Sequence, residues 1–216
     1  MARFLTDFSN LAEAVALDLE TTGLKPEFDR IVSICLIRFD ASHPLEESGT
    51  IESSINIFAE TINPTIQIPA SASKIHGITN EKVHGCRNFS EIVSEIKQII
   101  GDAPLISHNM EFDGAFLDFE MARAGERGFR RNERFCTMLA VHRRACLMAK
   151  KNVKWPKLAE SGRFAGVKID QSRTHNAKED AFNVIRLVNG LRTTYVDTKT
   201  RNILKTNNLV KDVPSR

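Results

Sequence analysis

Two carboxylates inside an apolar strand constrain this chain more than any other feature. Val15-Ala16-Leu17-Asp18-Leu19-Glu20 has the composition of a buried β-strand, and a T-T-G-L-K-P turn region separates it from a second such run, Ile31 to Phe39. Side chains alternate along a strand, so Asp18 and Glu20 emerge on one face while Leu17 and Leu19 point to the other. Neighbouring acids in a partly desolvated site raise one another's pKa, and a cation makes such a pair tolerable. Taken alone, the same D-x-E also reads as an uninteresting pair at a sheet end.

The remaining elements follow from periodicity and punctuation. Ser54 to Ile62 offers a third strand, after a polar stretch, His43 to Ser53, that reads as an extended hairpin loop. Asn88 can cap a helix with Glu91 at its third position, and Phe89, Ile92, Val93, Ile96, Ile99 and Ile100 then fall on one face. A strand over 103–107 precedes helices over about 111–124 and 137–148, a shorter one near Leu158, and a last one over about 176–191. Strands first and helices later, with one strand between helices, predict an α/β fold: a mixed central sheet flanked by helices.

Two further constellations carry chemistry. In Asn109-Met110-Glu111-Phe112-Asp113, Asn109 and Asp113 share one side of a helix's first turn, an arrangement that also suits simple N-terminal capping. In His175-Asn176-Ala177-Lys178-Glu179-Asp180, the aspartate aligns with Ala177, Val184, Leu187, Val188 and Leu191, the inward stripe of the last helix. An unpartnered carboxylate there is costly, and a metal is one of the few partners that make it sensible. His175, near the same helix end, also reads as an ordinary packed or exposed side chain.

Taken in order, D-L-E-T-T-G-L, H-N-M-E-F-D and H-N-A-K-E-D resemble motifs I, II and III of the DEDDh (DnaQ-like) 3′→5′ exonucleases, over roughly residues 14 to 192. The five-position step from His175 to Asp180 matches the histidine branch of that family. The resemblance implies a ribonuclease H-like fold and two Mg²⁺ ions, with Mn²⁺ a substitute, held by Asp18, Glu20, Asp113 and Asp180. It implies that Asp18 bridges the ions, that Glu20 and Asp180 hold the one carrying the attacking water, and that Asp113 acts partly through water. His175 is then the general base, a role suited to an intrinsic pKa near 6.5. Thr21 is expected against the terminal 3′-OH, with Asn109 and Phe112 as further substrate contacts. The segment Asn63 to Thr79 is similar to its counterpart in members like the proofreading epsilon subunit of bacterial DNA polymerase III, which makes His76 a candidate contact; its Pro and Gly residues also read as a plain turn. Phe135-Cys136-Thr137-Met138 departs from relatives that carry an Asp before the Thr.

Composition sets the outer bounds. Residues 1 to 120 carry a net charge of −11 and residues 121 to 216 a net charge of +14, an acidic, metal-collecting part beside a basic surface fit for a polyanion. Arg123, Arg127, Arg130, Arg131, Arg134, Arg143, Arg144, Lys150, Lys151 and Lys154 are candidate phosphate contacts or plain solvated faces. Trp155, beside Pro156 and Leu158, reads as a packing residue, with base stacking the alternative. The four scattered cysteines indicate neither disulfides nor zinc. No apolar run approaches the roughly 18 residues of a membrane span, and the start has no long apolar segment, so a cytoplasmic protein is expected. The expected organisation is an exonuclease domain over 1–194 and a polar, basic tail over 195–216. Expected partners are single-stranded or frayed 3′ ends of nucleic acid and a DNA polymerase or repair protein; oligomeric state is open. The rival readings are a 3′→5′ exoribonuclease of the same family and a catalytically silent module that binds nucleic acid or a polymerase.

Overall fold

A computed structural model of the chain describes residues 4–42, 55–169 and 176–196, with side chains as far as 192. The two acid-bearing and β-branched runs form an antiparallel pair, β1 (Glu13–Thr21) and β2 (Ile31–Asp40), and β3 (Ile55–Thr61) adds to β2 in the same sense. On the other side of β1, the short strands β4 (Leu105–Ser107) and β5 (Arg134–Cys136) run parallel to it, giving the order β3-β2-β1-β4-β5. The sheet is therefore mixed, as the order of elements predicts. The His43 to Ser53 loop lies outside the described residues.

The alternation of β1 divides the interior into two cores. Val15, Leu17 and Leu19 face α3 (Val93–Ile100) and α4 (Met110–Arg123), meeting Ile96, Ile100, Phe116 and Leu117. Ala14 and Ala16 face α7 (Ala177–Val196), meeting Ala181, Val184 and Val188. The small alanines let this helix lie close to the strand, and Asp18 and Glu20 share their side of it. Every residue of the stripe expected on α7 is buried, Asp180 included.

Helix α3 is entered as its sequence prescribes. Asn88 accepts from the Ser90 N–H (3.0 Å) and its own N–H donates to Glu91 Oε2 (2.8 Å). The first turn, Phe89–Ile92, is 3-10, yet all six apolar positions expected on one face are buried. Two stretches differ from expectation. Pro69 and Gly77 bracket a short helix, α1 (Ala70–His76), where a turn was read, and α2 (Asn80–Val83) follows; Gly77 closes α1 at φ 71°. Strand β5 is three residues long, too short to show a period, and it exists through its pairing with β4. Helices α5 (Thr137–Ala149) and α6 (Leu158–Ala165) complete the α7 side. Helix α7 runs two residues past the expected boundary at 194.

The turn after β1 is fixed by an ion pair that the sequence does not announce. Glu120, 1% exposed on α4, accepts from Arg30 Nε (2.6 Å) and Nη2 (3.0 Å) and from Arg123 Nη1 (3.0 Å). Arg123 also donates to the carbonyls of Pro26, Glu27 and Asp29. Inside the turn, Asp29 accepts from the Thr22 hydroxyl (3.2 Å) and the Lys25 N–H (2.8 Å). A Cβ at Gly23 would stand 2.4 Å from the Asp29 carboxylate, which would have to shift from its bonds to Thr22 and Lys25 to admit it. Glu120→Ala leaves Arg30 and Arg123 without their shared anion and should lower unfolding free energy by about 3 kcal/mol in a urea titration. An unchanged midpoint would show that water replaces the carboxylate.

Candidate active site

Four acids from three separate segments meet at one end of the sheet. Asp18 and Glu20 come from the last turn-ward residues of β1, beyond the point where Ala16 pairs with Ile106 of β4. Asp113 comes from the first turn of α4, which starts three residues after β4 ends. Asp180 comes from the first turn of α7, held by the Asn176 carbonyl, which accepts its N–H at 2.9 Å. Carboxylate oxygens of Asp18, Glu20 and Asp180 lie within 4.8 Å of one another. All four acids line a cleft of about 550 Å³ at the carboxyl ends of β1 and β4, a position where open α/β sheets bind ligands. Volume alone does not mark it, since a cleft of about 580 Å³ beside Glu13 and Arg38 has no such cluster.

The electrostatics show what the arrangement costs. Burial, then the carboxylates of Asp180 and Asp113, push Glu20 up to about 8. Asp113 is pushed up to about 7 by burial, with Asp180 adding to it; N–H groups of Asn109 and Asp113 oppose the rise. The Ser107 hydroxyl also lies near enough to oppose it, although outside normal hydrogen-bond geometry. Asp18 keeps partial access to the cleft, but its surroundings and the three other acids still hold its pKa well above the usual carboxylate range. Asp180 accepts from buried Asn183, whose Nδ2 donates to Oδ1 at 3.4 Å. A set of oxygen donors this close, with protons so hard to release, fits a hard divalent cation.

The expected substrate contacts divide. Asn109 and Phe112 line the cleft, and Asn109 makes no side-chain cap on α4, so it is not serving the capping role. Thr21 closes β1 with its hydroxyl donating to the Gly23 carbonyl at 2.6 Å, and it is not among the lining residues. His76 does not join the cluster: it ends α1, and its Nδ1 accepts the Ile78 N–H at 3.0 Å. His175 lies outside the described residues.

Several candidate phosphate contacts also make bonds within the fold. Arg123 holds the turn after β1, Arg130 and Arg134 pair with buried Asp118, and Arg144 donates to the Leu191 carbonyl. Arg127, Arg131, Lys150 and Lys151 remain exposed. Trp155 is not packed away; it is 56% exposed.

Two cleft residues escaped the sequence reading. His108, from the H-N-M-E-F-D stretch, donates through Nε2 to the Pro156 carbonyl (3.1 Å) and bonds the Thr137 hydroxyl through Nδ1 (3.0 Å). Burial lowers its pKa to about 4, so it is a neutral strut tying the end of β4 to the segment before α6. That segment brings Lys157 to the cleft wall. The histidine preceding Asn109 was visible in the sequence; Lys157 had no motif to mark it.

A five-stranded mixed sheet flanked by helices, with clustered acids at the strand ends, defines a ribonuclease H-like nuclease fold. The RNase_T family model, described as "Exonuclease", matches residues 15–188, and the chain belongs to that family. This bears out the resemblance to the DEDDh exonucleases. The chain is 37% identical over 107 residues to DNA polymerase III subunit epsilon of Treponema pallidum, covering 50% of this chain and 45% of that protein. It is 35% identical over 107 residues to the PolC-type DNA polymerase III of Latilactobacillus sakei, covering 50% of this chain and 7% of the relative. The chain thus matches less than half the length of these relatives. Among solved structures, E. coli exonuclease I in complex with a dT13 oligonucleotide superposes with a TM-score of 0.64 at 17% identity, covering 90% of this chain and 43% of that one.

The raised carboxyl pKa values fix a sign for the pH dependence of stability. Between the ordinary value of 4.5 and about 8, folded Glu20 keeps a proton that the unfolded chain has released. The contribution is therefore present below pH 4.5 and is lost as pH rises toward 8. Metal-free protein should melt at progressively lower temperature across this window. Glu20→Gln should flatten the fall, and millimolar Mg²⁺ should raise Tm most at the alkaline end. Melting curves with and without chelator test this, and identical slopes in the two proteins would contradict it.

Proposed function

We propose that this chain is a divalent-metal-dependent 3′→5′ exonuclease that removes nucleoside 5′-monophosphates from single-stranded or frayed 3′ ends, with DNA as its substrate. The convergence of Asp18, Glu20, Asp113 and Asp180 in one cleft carries the reading. An all-carboxylate donor set without sulfur suits Mg²⁺, with Mn²⁺ as a substitute. Two such ions, when bound, supply a nucleophilic hydroxide at neutral pH and neutralise charge on the attacked phosphate and the departing 3′ oxygen.

The chain's own residues perform the rest. Asp18, Glu20 and Asp180, whose carboxylate oxygens lie within 4.8 Å of one another, would hold the cation. Asp113 stands deeper, beside Asn109, and orients water at the cluster. His175, placed before α7 in the motif, takes the proton of the attacking water. Asn109 and Phe112 contact the terminal nucleotide from the first turn of α4. Thr21, braced on Gly23, presents its backbone to the 3′-OH. His76 has no part in this arrangement.

DNA is favoured by the relatives, which are named as DNA polymerase III proteins, and the same names make a DNA polymerase a partner to test. Phosphodiester hydrolysis by this cluster is indifferent to the 2′-OH, so RNA is the substrate to set against it. A silent binding module would not need to keep four mutually repelling acids.

End-labelled DNA and RNA oligonucleotides with Mg²⁺ test the proposal. DNA should shorten from its 3′ end and release mononucleotides, and chelator should stop it; faster RNA loss would reassign the substrate. Asp18→Ala and Asp180→Ala should each lower the rate at least about 10³-fold while circular dichroism stays unchanged. Normal turnover in either would end the assignment. His175→Ala should slow the reaction and remove its lower pH limb, with metal binding retained by calorimetry. A full rate at pH 8 would exclude the general-base role.

A further inference from the structure

The exposed tryptophan is held too rigidly, and in too particular a place, to be an accident of the surface. One face of the Trp155 indole lies against the His142 imidazole, with ring centroids 3.9 Å apart and planes 14° from parallel. That imidazole is itself fixed, because its Nε2 donates to the Val153 carbonyl at 2.9 Å. More than half of the indole nevertheless stays open to solvent. An aromatic side chain used for packing buries its faces, whereas this one is braced behind and bare in front.

Its position ties it to the cleft. The next residue, Pro156, has its carbonyl bonded to His108 of the cleft wall, and Lys157 lines the cleft itself. Two residues of chain span at most about 7 Å, so the Trp155 backbone lies no farther than that from a residue of the cleft wall. Lys150, Lys151 and Lys154 lie within the same short stretch, and the first two are exposed without an ion pair among the described residues. Lys154 pairs with Glu160, which also accepts the Lys157 N–H and holds the start of α6. A flat π-surface beside cations matches the chemistry of a single-stranded polyanion whose bases can stack.

We propose that Trp155 is a stacking platform for a nucleobase of the substrate strand upstream of the terminal nucleotide, with Lys157 contacting the intervening phosphate. This rests on the exonuclease reading and adds to it a binding subsite outside the acid cluster. The platform is sequence-tolerant, because every base offers a π-face. It holds the strand that remains after each cleavage, so it favours longer strands over dinucleotides.

Trp155 is the only tryptophan, so its emission reports directly on this surface. Titrating the full chain in chelator with an eight-nucleotide oligothymidylate should quench that emission saturably, at the concentration where anisotropy of a labelled strand shows binding. Moving a single abasic nucleotide along the strand should find one position that abolishes the quenching and weakens binding. With Mg²⁺, Trp155→Ala should raise KM for the octamer roughly ten-fold with a much smaller change in kcat, and Trp155→Phe should recover most of the loss. Lys157→Ala should reduce the salt dependence of binding by about one counterion. Saturated binding with unchanged emission, an unaltered KM in Trp155→Ala, or self-association abolished by that variant would each overturn the platform. Failure of the nuclease reading looks different: the unaltered chain would then degrade neither DNA nor RNA, whatever the emission does.

Discussion

The burial of four neighbouring carboxylates governs this molecule. Asp18, Glu20, Asp113 and Asp180 are brought together by a fold that gains nothing electrostatic from their meeting, and the pKa values of Glu20 and Asp113 are raised first by burial and then by neighbouring carboxylates. Without a cation the cluster relieves itself by keeping protons. With one, the same closeness would offer a set of oxygen ligands. The scaffold must be stiff enough to hold the acids at this spacing in either state.

That stiffness has identifiable sources on both sides of β1. Odd-numbered side chains anchor the strand in the core under α3 and α4, and the alanines of the other parity seat α7 against it. Helix α7 is in turn locked to α6: a Cβ at Gly190 would lie 2.7 Å from the Ala165 carbonyl. Beyond the strand, Glu120 and its two arginines pin the turn, and His108 pins the segment that enters α6. Each wall of the cleft is therefore tied to a different part of the interior.

Much of this was legible in the sequence, because period and parity survive translation into structure. The alternation in V-A-L-D-L-E placed both acids on one face, and the helical stripe placed Asp180 inward. The six apolar positions of α3 and its Asn88–Glu91 cap were equally plain. What was not legible depended on contacts between distant segments. Arg30 and Glu120 are 90 residues apart, and nothing local distinguishes them from solvated charges. The basic set looked like one surface and is in fact split between struts and free side chains. Trp155 looked like packing because its neighbours are apolar; it is 56% exposed, and its stack on His142 is a contact that no spacing rule encodes. Strand β5 has too few residues to declare itself, and α1 hid behind the proline and glycine that delimit it.

The pairing of β1 separates its support from its chemistry. Its ladder with β4 stops at Ala16 and Ile106, so the portion bearing Asp18 and Glu20 overhangs its parallel neighbour and is supported along one side, by β2. Cantilevered in this way, the working tip can change its side chains while the hydrogen-bonded root stays intact. A substitution at position 18 or 20 therefore alters the cleft without removing a rung of the β1–β4 ladder.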